Sequence, residues 1–343
     1  MYITIPSFIE SLYSMKIYRY INSPLSLITG LLPLSLAEVS IYCISILIFY
    51  KLILFIRKIF QIPKNILNHI YLLKILKKLI CFAVILYFSF LTLWGLNYYR
   101  ISFSETSGIK TTQYSKDDLE ELCLHLIKES NAIREIVDEN NEGIMTISKG
   151  KKWVLENAYI GYDIISKTYS TLSGKYGSPK PVMLSELMCY TGIAGIYYPF
   201  TGEANININV PYSNLPNIVT HEMAHQRGYA REDEANFIAY LACIYNPYPE
   251  FKYSGVLLAL THSINALYKE DLESFEKLKT YFSEGLSRDL SYINYFWKKY
   301  EGPVERVSTN INNAYLKANN QKDGIKSYGR MVDLLIAYHK GKL

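Results

Sequence analysis

Cysteine is scarce and scattered. Of the five Cys in 343 residues, Cys43 and Cys81 sit in apolar runs, which leaves Cys123, Cys189 and Cys243, and no CxxC pair occurs. An odd number without that spacing argues against a disulfide framework or a zinc knuckle. Proline (12) and glycine (18) are ordinary in number, no internal period repeats, and no block of like charge exceeds a few residues. Low-complexity tails, collagen-like chains and solenoids are thereby excluded. A broad basic face is missing too. Residues 57–78 hold six cations (Arg57, Lys58, Lys64, Lys74, Lys77, Lys78) and no acid, whereas residues 100–343 hold 27 Lys and Arg against 29 Asp and Glu. The net charge of +5 therefore leaves no footprint for nucleic acid on the larger part of the chain, and no such partner is expected. The 32 Tyr are spread over the whole length and mark composition rather than a stacking platform.

What the chain does contain is long apolar runs. Residues 79–99 (LICFAVILYFSFLTLWGLNYY) carry no charge between Lys77-Lys78 and Arg100, enough to cross about 30 Å of hydrocarbon as a helix. Trp94, Tyr98 and Tyr99 at its end are expected at the lipid–water boundary. Residues 34–56 are the other candidate, with Glu38 and Lys51 close enough to its ends to reach outward. Glu38 reads as an interfacial carboxylate in preference to a buried functional one. Gly30 and Pro33 break the stretch before it, so residues 1–33 read as an interfacial arm, and Glu10 without a basic leader argues against a signal peptide. Excess Lys and Arg in the connection marks the cytoplasmic side, which puts both termini outside. The expected organisation is an arm (1–33), transmembrane helices at 34–56 and 79–99 joined by a basic cytoplasmic loop (57–78), and one extracytoplasmic domain (100–343), with the lipid bilayer as a partner. Two spans without an inverted repeat or paired intramembrane charges offer no transport path.

In the domain, Ser115-Lys116-Asp117-Asp118 has the form of a capping box, and Leu119, Leu122, Leu126, Ile127 and Ile133 continue it as an amphipathic helix to about Asn140. A helix is expected over 151–172, then short strands at 181–185, 193–198 and 204–210. In the last, Ala204, Ile206, Ile208 and Val210 alternate with Asn205, Asn207 and Asn209, the pattern of a half-exposed strand near a sheet edge. From Asn214 the pattern is helical. The expected fold class is mainly α with a small β-sheet, preceded by two transmembrane helices. His125 and His339 read as isolated surface or core histidines, His69 as solvated or touching headgroups, and Glu203 as a turn-capping carboxylate in preference to a substrate contact.

One short segment carries chemistry. His221-Glu222-Met223-Ala224-His225 is HExxH, inside a helix prepared by Pro216. Residues i and i+4 stand one above the other on a helix, so His221 and His225 can serve one Zn2+ ion, while Glu222, about 100° round, can act as general base on a metal-bound water. A catalytic zinc usually takes a third protein ligand. Gly228 permits a turn into a second helix, where Glu232 and Glu234 compete for that role. Glu232 shares a face with Ala235, Asn236 and Ala239, whose small Ala side chains allow close helix approach, and Glu234 points about 160° away, so Glu232 is preferred. The chemistry such a set supports is amide hydrolysis on a polypeptide paired with the sheet edge. Tyr212, Tyr253, His262 and Arg330 stand as candidates to steady an oxyanion, with packing the first reading of Tyr253 and His262.

The spacing Glu232-x-x-Ala235-Asn236 after HExxH resembles the glutamate-zincin (gluzincin) pattern, of which membrane-bound CAAX-prenyl and heat-shock proteases and soluble repressor-cleaving proteases carry similar versions. Over almost its whole length the chain also resembles an uncharacterised family of bacterial membrane proteins, a domain of unknown function, through residues 94–100 (WGLNYYR), 195–205 (GIYYPFTGEAN), 221–236 (HEMAHQRGYAREDEAN) and 327–335 (SYGRMVDLL). The resemblance implies a membrane-anchored zinc-site domain with a gluzincin-like core and supplies no established substrate. Asn236 stands where Asp is frequent, and its amide oxygen can still orient a histidine. The expected function is a membrane-anchored zinc metallopeptidase. The alternative is a non-catalytic, membrane-anchored metal-binding protein of the envelope, and the intact Glu222 separates the two in part, because a structural site needs no base.

Overall fold

The computed structural model describes residues 5–61, 69–111, 114–321 and 330–341. A short turn, Ile5–Phe8, leads through a π-helical stretch, Ile9–Ile17, into helix α1 (Tyr18–Gly30). Helices α2 (Leu36–Gln61) and α3 (His69–Leu93) follow, and a 3-10 turn (Gly95–Tyr99) closes this part. α2 and α3 are long and apolar enough to cross a membrane, over Leu36–Leu54 and Leu73–Leu93. Their side chains stay out of the core: Ile46, Ile48, Phe49, Phe82, Ile85 and Phe88 are each 62–68% exposed. An apolar display of that length calls for lipid or a partner.

These boundaries correct the expected ones. The second apolar helix runs through Lys74, Lys77 and Lys78, since long cationic side chains do not interrupt a helix. It stops at Leu93, before Gly95. Trp94 and Tyr98 are consequently buried against the domain, where the sequence suggests rings facing the lipid–water boundary. Of the expected loop 57–78, residues 57–61 and 69–78 are helical, and 62–68, with Lys64, lie outside the described residues.

The arm is not separate from the domain. Glu10 is buried and takes two hydrogen bonds from the Arg100 guanidinium, at 2.7 and 2.6 Å. Ser14 donates to Asn97 Oδ1 (2.9 Å), Tyr13 to the Thr92 carbonyl (2.9 Å) and Thr29 to the Thr201 carbonyl (3.0 Å). Glu38 is likewise buried and fully engaged within the protein: it accepts the backbone N–H groups of Met183 (2.8 Å) and Leu184 (3.0 Å) and the Tyr42 hydroxyl. Glu203 accepts the N–H groups of Leu36 (3.2 Å) and Ala37 (2.9 Å), capping α2 from across the domain. Two carboxylates at one helix N-terminus complement its dipole and fix α2 to the sheet.

The sheet has strands β1 (Lys180–Pro181), β2 (Gly195–Tyr198) and β3 (Glu203–Ile206) in the order β1-β3-β2. β1 runs parallel to β3, and β2 pairs antiparallel with it, Gly195 opposite Ile206 and Tyr198 opposite Glu203. The alternating segment is therefore the central strand, not a half-exposed edge. The strand ends at Ile206, short of the expected 210; Asn205 and Asn207 are buried because they have specific partners, Asn205 accepting from Ser35 (2.6 Å) and Asn207 donating to the Ile193 carbonyl (3.0 Å), and Asn209 is half-buried. The edge strands are β1 and β2.

Helix α4 (Lys116–Arg134) begins at a capping box made by Ser115 and Asp118. After the sheet come α5 (Leu215–Gln226), α6 (Glu232–Tyr245), α7 (Pro249–Glu270), α8 (Glu284–Lys298), α9 (Pro303–Ala318) and α10 (Met331–Lys340). Leu119, Leu126 and Ile127 of α4, Phe237 and Leu241 of α6, Leu257 and Leu260 of α7 and Leu335 of α10 form one buried core. The architecture is mainly helical, with a small three-stranded sheet and two membrane-length helices.

Arg100→Ala strands the Glu10 carboxylate in a dry site and is expected to destabilise the full-length protein by about 3–5 kcal/mol. Lys116→Ala, at the exposed pair with Asp271, should leave the unfolding midpoint almost unmoved. Thermal unfolding in detergent, with both variants side by side, checks this; equal midpoints would reject the buried-pair account.

Candidate metal centre

Pro216 in the first turn of α5 suits a position whose N–H has no helical partner. The helix ends at Gln226 because Gly228 takes a φ of 85°, a conformation that strains any residue with a Cβ. The chain reverses through Tyr229–Arg231 and re-enters a helix at Glu232, which lays α6 against α5. One Glu232 carboxylate oxygen comes 3.2 Å from His221 Nε2 and 3.6 Å from His225 Nε2. The ligand atoms of His221, His225 and Glu232 all lie within 4.8 Å of one another. Glu234 faces elsewhere, accepting the Phe103 N–H (2.8 Å) and the Arg231 guanidinium (2.8 Å). Of the two acids that the sequence leaves open, the structure brings Glu232 to the histidines.

His225 is held in one orientation. Its Nδ1 lies 2.6 Å from the Tyr229 carbonyl; a carbonyl only accepts, so Nδ1 carries the hydrogen and Nε2 faces Glu232. The Trp94 ring meets the imidazole edge-on, centroids 5.8 Å apart. Asn236 is buried on α6, but among the described contacts it makes no hydrogen bond to either imidazole, so the orienting role expected of its amide falls to the Tyr229 carbonyl.

Glu222 is buried between the histidines and the sheet. The Tyr197 backbone N–H is near enough to favour its charged form, and a Cβ on Gly195 would fall 2.6 Å from its Cγ and Oε1, so only glycine leaves room there. Its Oε2 is buried without a hydrogen-bond partner. The Asn207 N–H donates to the Ala194 carbonyl, and that register turns the backbone groups of Ile196 toward β3 and those of Gly195 and Tyr197 toward the open edge. The base candidate thus stands beside an unpaired strand edge.

The electrostatics follow from burial and proximity. Burial pushes the Glu222 carboxyl above its ordinary range, against the pull of His221 and His225. Burial opposes charge on Glu232 as well, yet His225 and His221 hold its carboxyl far below the ordinary range. Burial lowers the His225 imidazole, but Glu232, then Glu222, outweigh it and raise the group to about 9. The protons that bind this triad together are those a divalent cation would displace.

Aromatic groups absent from the sequence-based site complete the surroundings. The Tyr98 and Tyr315 hydroxyls lie 3.1 Å apart, and burial, each other and Glu232 keep Tyr98 protonated. Tyr18 donates toward the Gln226 (3.2 Å) and His225 (3.3 Å) carbonyls, Asn22 donates to Gln226 (2.7 Å), and Tyr197 donates to Asn22 (2.8 Å). Trp94 and Tyr98 had a signal in the WGLNYYR run; Tyr18 and Tyr315 had none, since their roles come from contacts across some 200 residues.

The other singled-out residues divide. His262 on α7 lies within reach of His221's charge, and burial followed by that charge pushes it down to about 4, a neutral imidazole. Tyr253 donates to the buried Asp289 (2.6 Å), which also binds Arg134 (2.7 Å), and Arg330 bonds Asp233 (3.0 Å). Tyr212 packs on the core with Lys151 over its ring. His125 and His339 are not isolated: their rings meet edge-on at 4.9 Å, with the Tyr240 hydroxyl 3.0 Å from His339 Nε2.

No curated protein and no solved structure matches the chain. A family match takes in residues 13–336, from Tyr13 in the arm through both apolar helices to Ile336 in the last helix. The chain therefore belongs to the family described as Protein of unknown function (DUF3810).

Proposed function

We propose that this protein is a membrane-anchored, zinc-dependent metallopeptidase with a gluzincin-like core. The observation that carries the reading is the position of Glu222, a buried carboxylate with one oxygen free, between the His221–His225–Glu232 triad and the open edge of β2. Two imidazole nitrogens and one carboxylate oxygen suit zinc better than calcium or magnesium, which favour all-oxygen sets. His221, His225 and Glu232 would hold the ion. When bound, it supplies Lewis acidity toward a carbonyl oxygen and lowers the pKa of a coordinated water.

The chain's own groups do the rest. Glu222, desolvated and beside the Tyr197 N–H, accepts a proton from the attacking water on its free oxygen and returns it to the leaving amine. The outward Gly195 N–H and the Gly195 and Tyr197 carbonyls pair with an extended polypeptide and align its scissile bond. The neutral His262 imidazole and the Tyr315 hydroxyl are the donors left near the triad to steady an oxyanion. α2 and α3 cross the bilayer, with Arg57, Lys58, Lys74, Lys77 and Lys78 on the cytoplasmic side and the domain outside.

Elemental analysis of the full-length protein, purified in detergent without chelator, is expected to give one zinc per chain in wild type and Glu222→Gln and none in His221→Ala. A folded, zinc-free wild type would overturn the reading. In the zinc-loaded protein, Glu222→Gln should lower hydrolysis of unfolded polypeptides by roughly 10²–10⁴-fold. Bound zinc with no hydrolysis in wild type would transfer support to the non-catalytic alternative.

Gly195→Ala pushes on Glu222 and on none of the ligands. Zinc content should be unchanged while turnover falls tenfold or more; a full rate would mean that Glu222 does not act from this position.

A further inference from the structure

We infer that the polypeptides cut at this site are membrane-anchored and are cut within a few residues of the bilayer surface, an inference that rests on the metallopeptidase and membrane-spanning readings above. Trp94 directly follows Leu93, the last residue of the apolar window of α3, and its ring touches the His225 imidazole. Phe90, one turn inside that window, packs 6.2 Å from the ring of Tyr315, whose hydroxyl pairs with Tyr98 beside Glu232. At the other window, Leu36 and Ala37 are bonded to Glu203, the partner of Tyr198 in the edge strand. α3 thus ends one side-chain contact from the triad, and α2 starts bonded to the strand that pairs with β2. That spacing is on the order of 10–15 Å, the length of three or four extended residues.

No spacer intervenes that could lift the site away. The Met183 N–H is tied to Glu38 in the first turn of α2, which fixes this segment at the level where the helix enters the apolar layer. Around it apolar side chains stand in the open: Met183 (67%), Leu187 (57%), Leu31 (83%) and, on the edge strand itself, Ile196 (48%). A polypeptide held in the bilayer presents its first exposed residues at this height, already concentrated at the strand edge by its anchor. A soluble chain has to enter the same thin layer from outside, without that gain.

The test uses the full-length protein in liposomes with one unstructured reporter segment on the domain's side. The segment is anchored by a transmembrane helix or by an acyl chain, either directly or through a 40-residue Gly/Ser spacer of about 35 Å mean span, and is also supplied without an anchor. Cut positions are read by mass spectrometry, with Glu222→Gln as the blank. We expect cuts within about ten residues of either anchor, at least tenfold faster than in the spacer-displaced or unanchored forms, and any difference between the two anchors names the source. Rates on displaced and unanchored reporters equal to those on the directly anchored ones would overturn the inference while the peptidase reading stands. No Glu222-dependent cut in any form would overturn both.

Discussion

A helix that ends inside a protein has to find donors for its last carbonyl groups. Helix α5 ends where the arm, the second apolar helix and the sheet converge, and three donors from earlier in the chain meet it there. Tyr18 and Asn22 serve His225 and Gln226, and Arg100 donates to Gly228 at 2.9 Å. Each donor brings its own requirement. Arg100 is buried and needs the Glu10 carboxylate; Tyr18 and Asn22 hold Tyr197, whose backbone N–H in turn favours the charged form of Glu222. The geometry of the candidate base therefore depends on how the end of one helix is satisfied.

The same dependence makes the membrane-length helices part of the site. α2 is capped by Glu203 and held by Glu38, and α3 delivers Trp94 against His225 without an intervening residue. Residues 100–343 alone would lack Tyr18, Asn22, Trp94 and Tyr98. The division into anchor and domain that composition suggests is not one that the hydrogen bonds respect.

What was legible in the sequence was local. HExxH announces itself through helical spacing, and the choice between Glu232 and Glu234 follows from their angular separation on α6. Composition alone marks the two apolar helices, and the Ser115 box marks the start of α4. What was illegible depended on partners far along the chain. Glu38 reads as an interfacial carboxylate, and Glu10 only as a charge in the arm, because the Met183–Leu184 backbone and Arg100 are about 145 and 90 residues away. Alternation in Ala204–Val210 gave the period of a strand but not its neighbours, and buried asparagines look like exposed ones until Ser35 and Ile193 are in place. His125 and His339 looked isolated for the same reason.

The arm has a temporal consequence. Tyr18 and Asn22 are made long before the carbonyls they serve, which lie more than 200 residues later, and Tyr315 is later still. Closing so long a loop adds little to the equilibrium cost, because that cost grows only with the logarithm of length. It weighs instead on the order of events, since distant contacts form slowly. The pocket around Glu222 is consequently assembled from widely separated segments, Tyr18 to Tyr315, and a ribosome-bound chain stays incomplete at this site until α9 has been made.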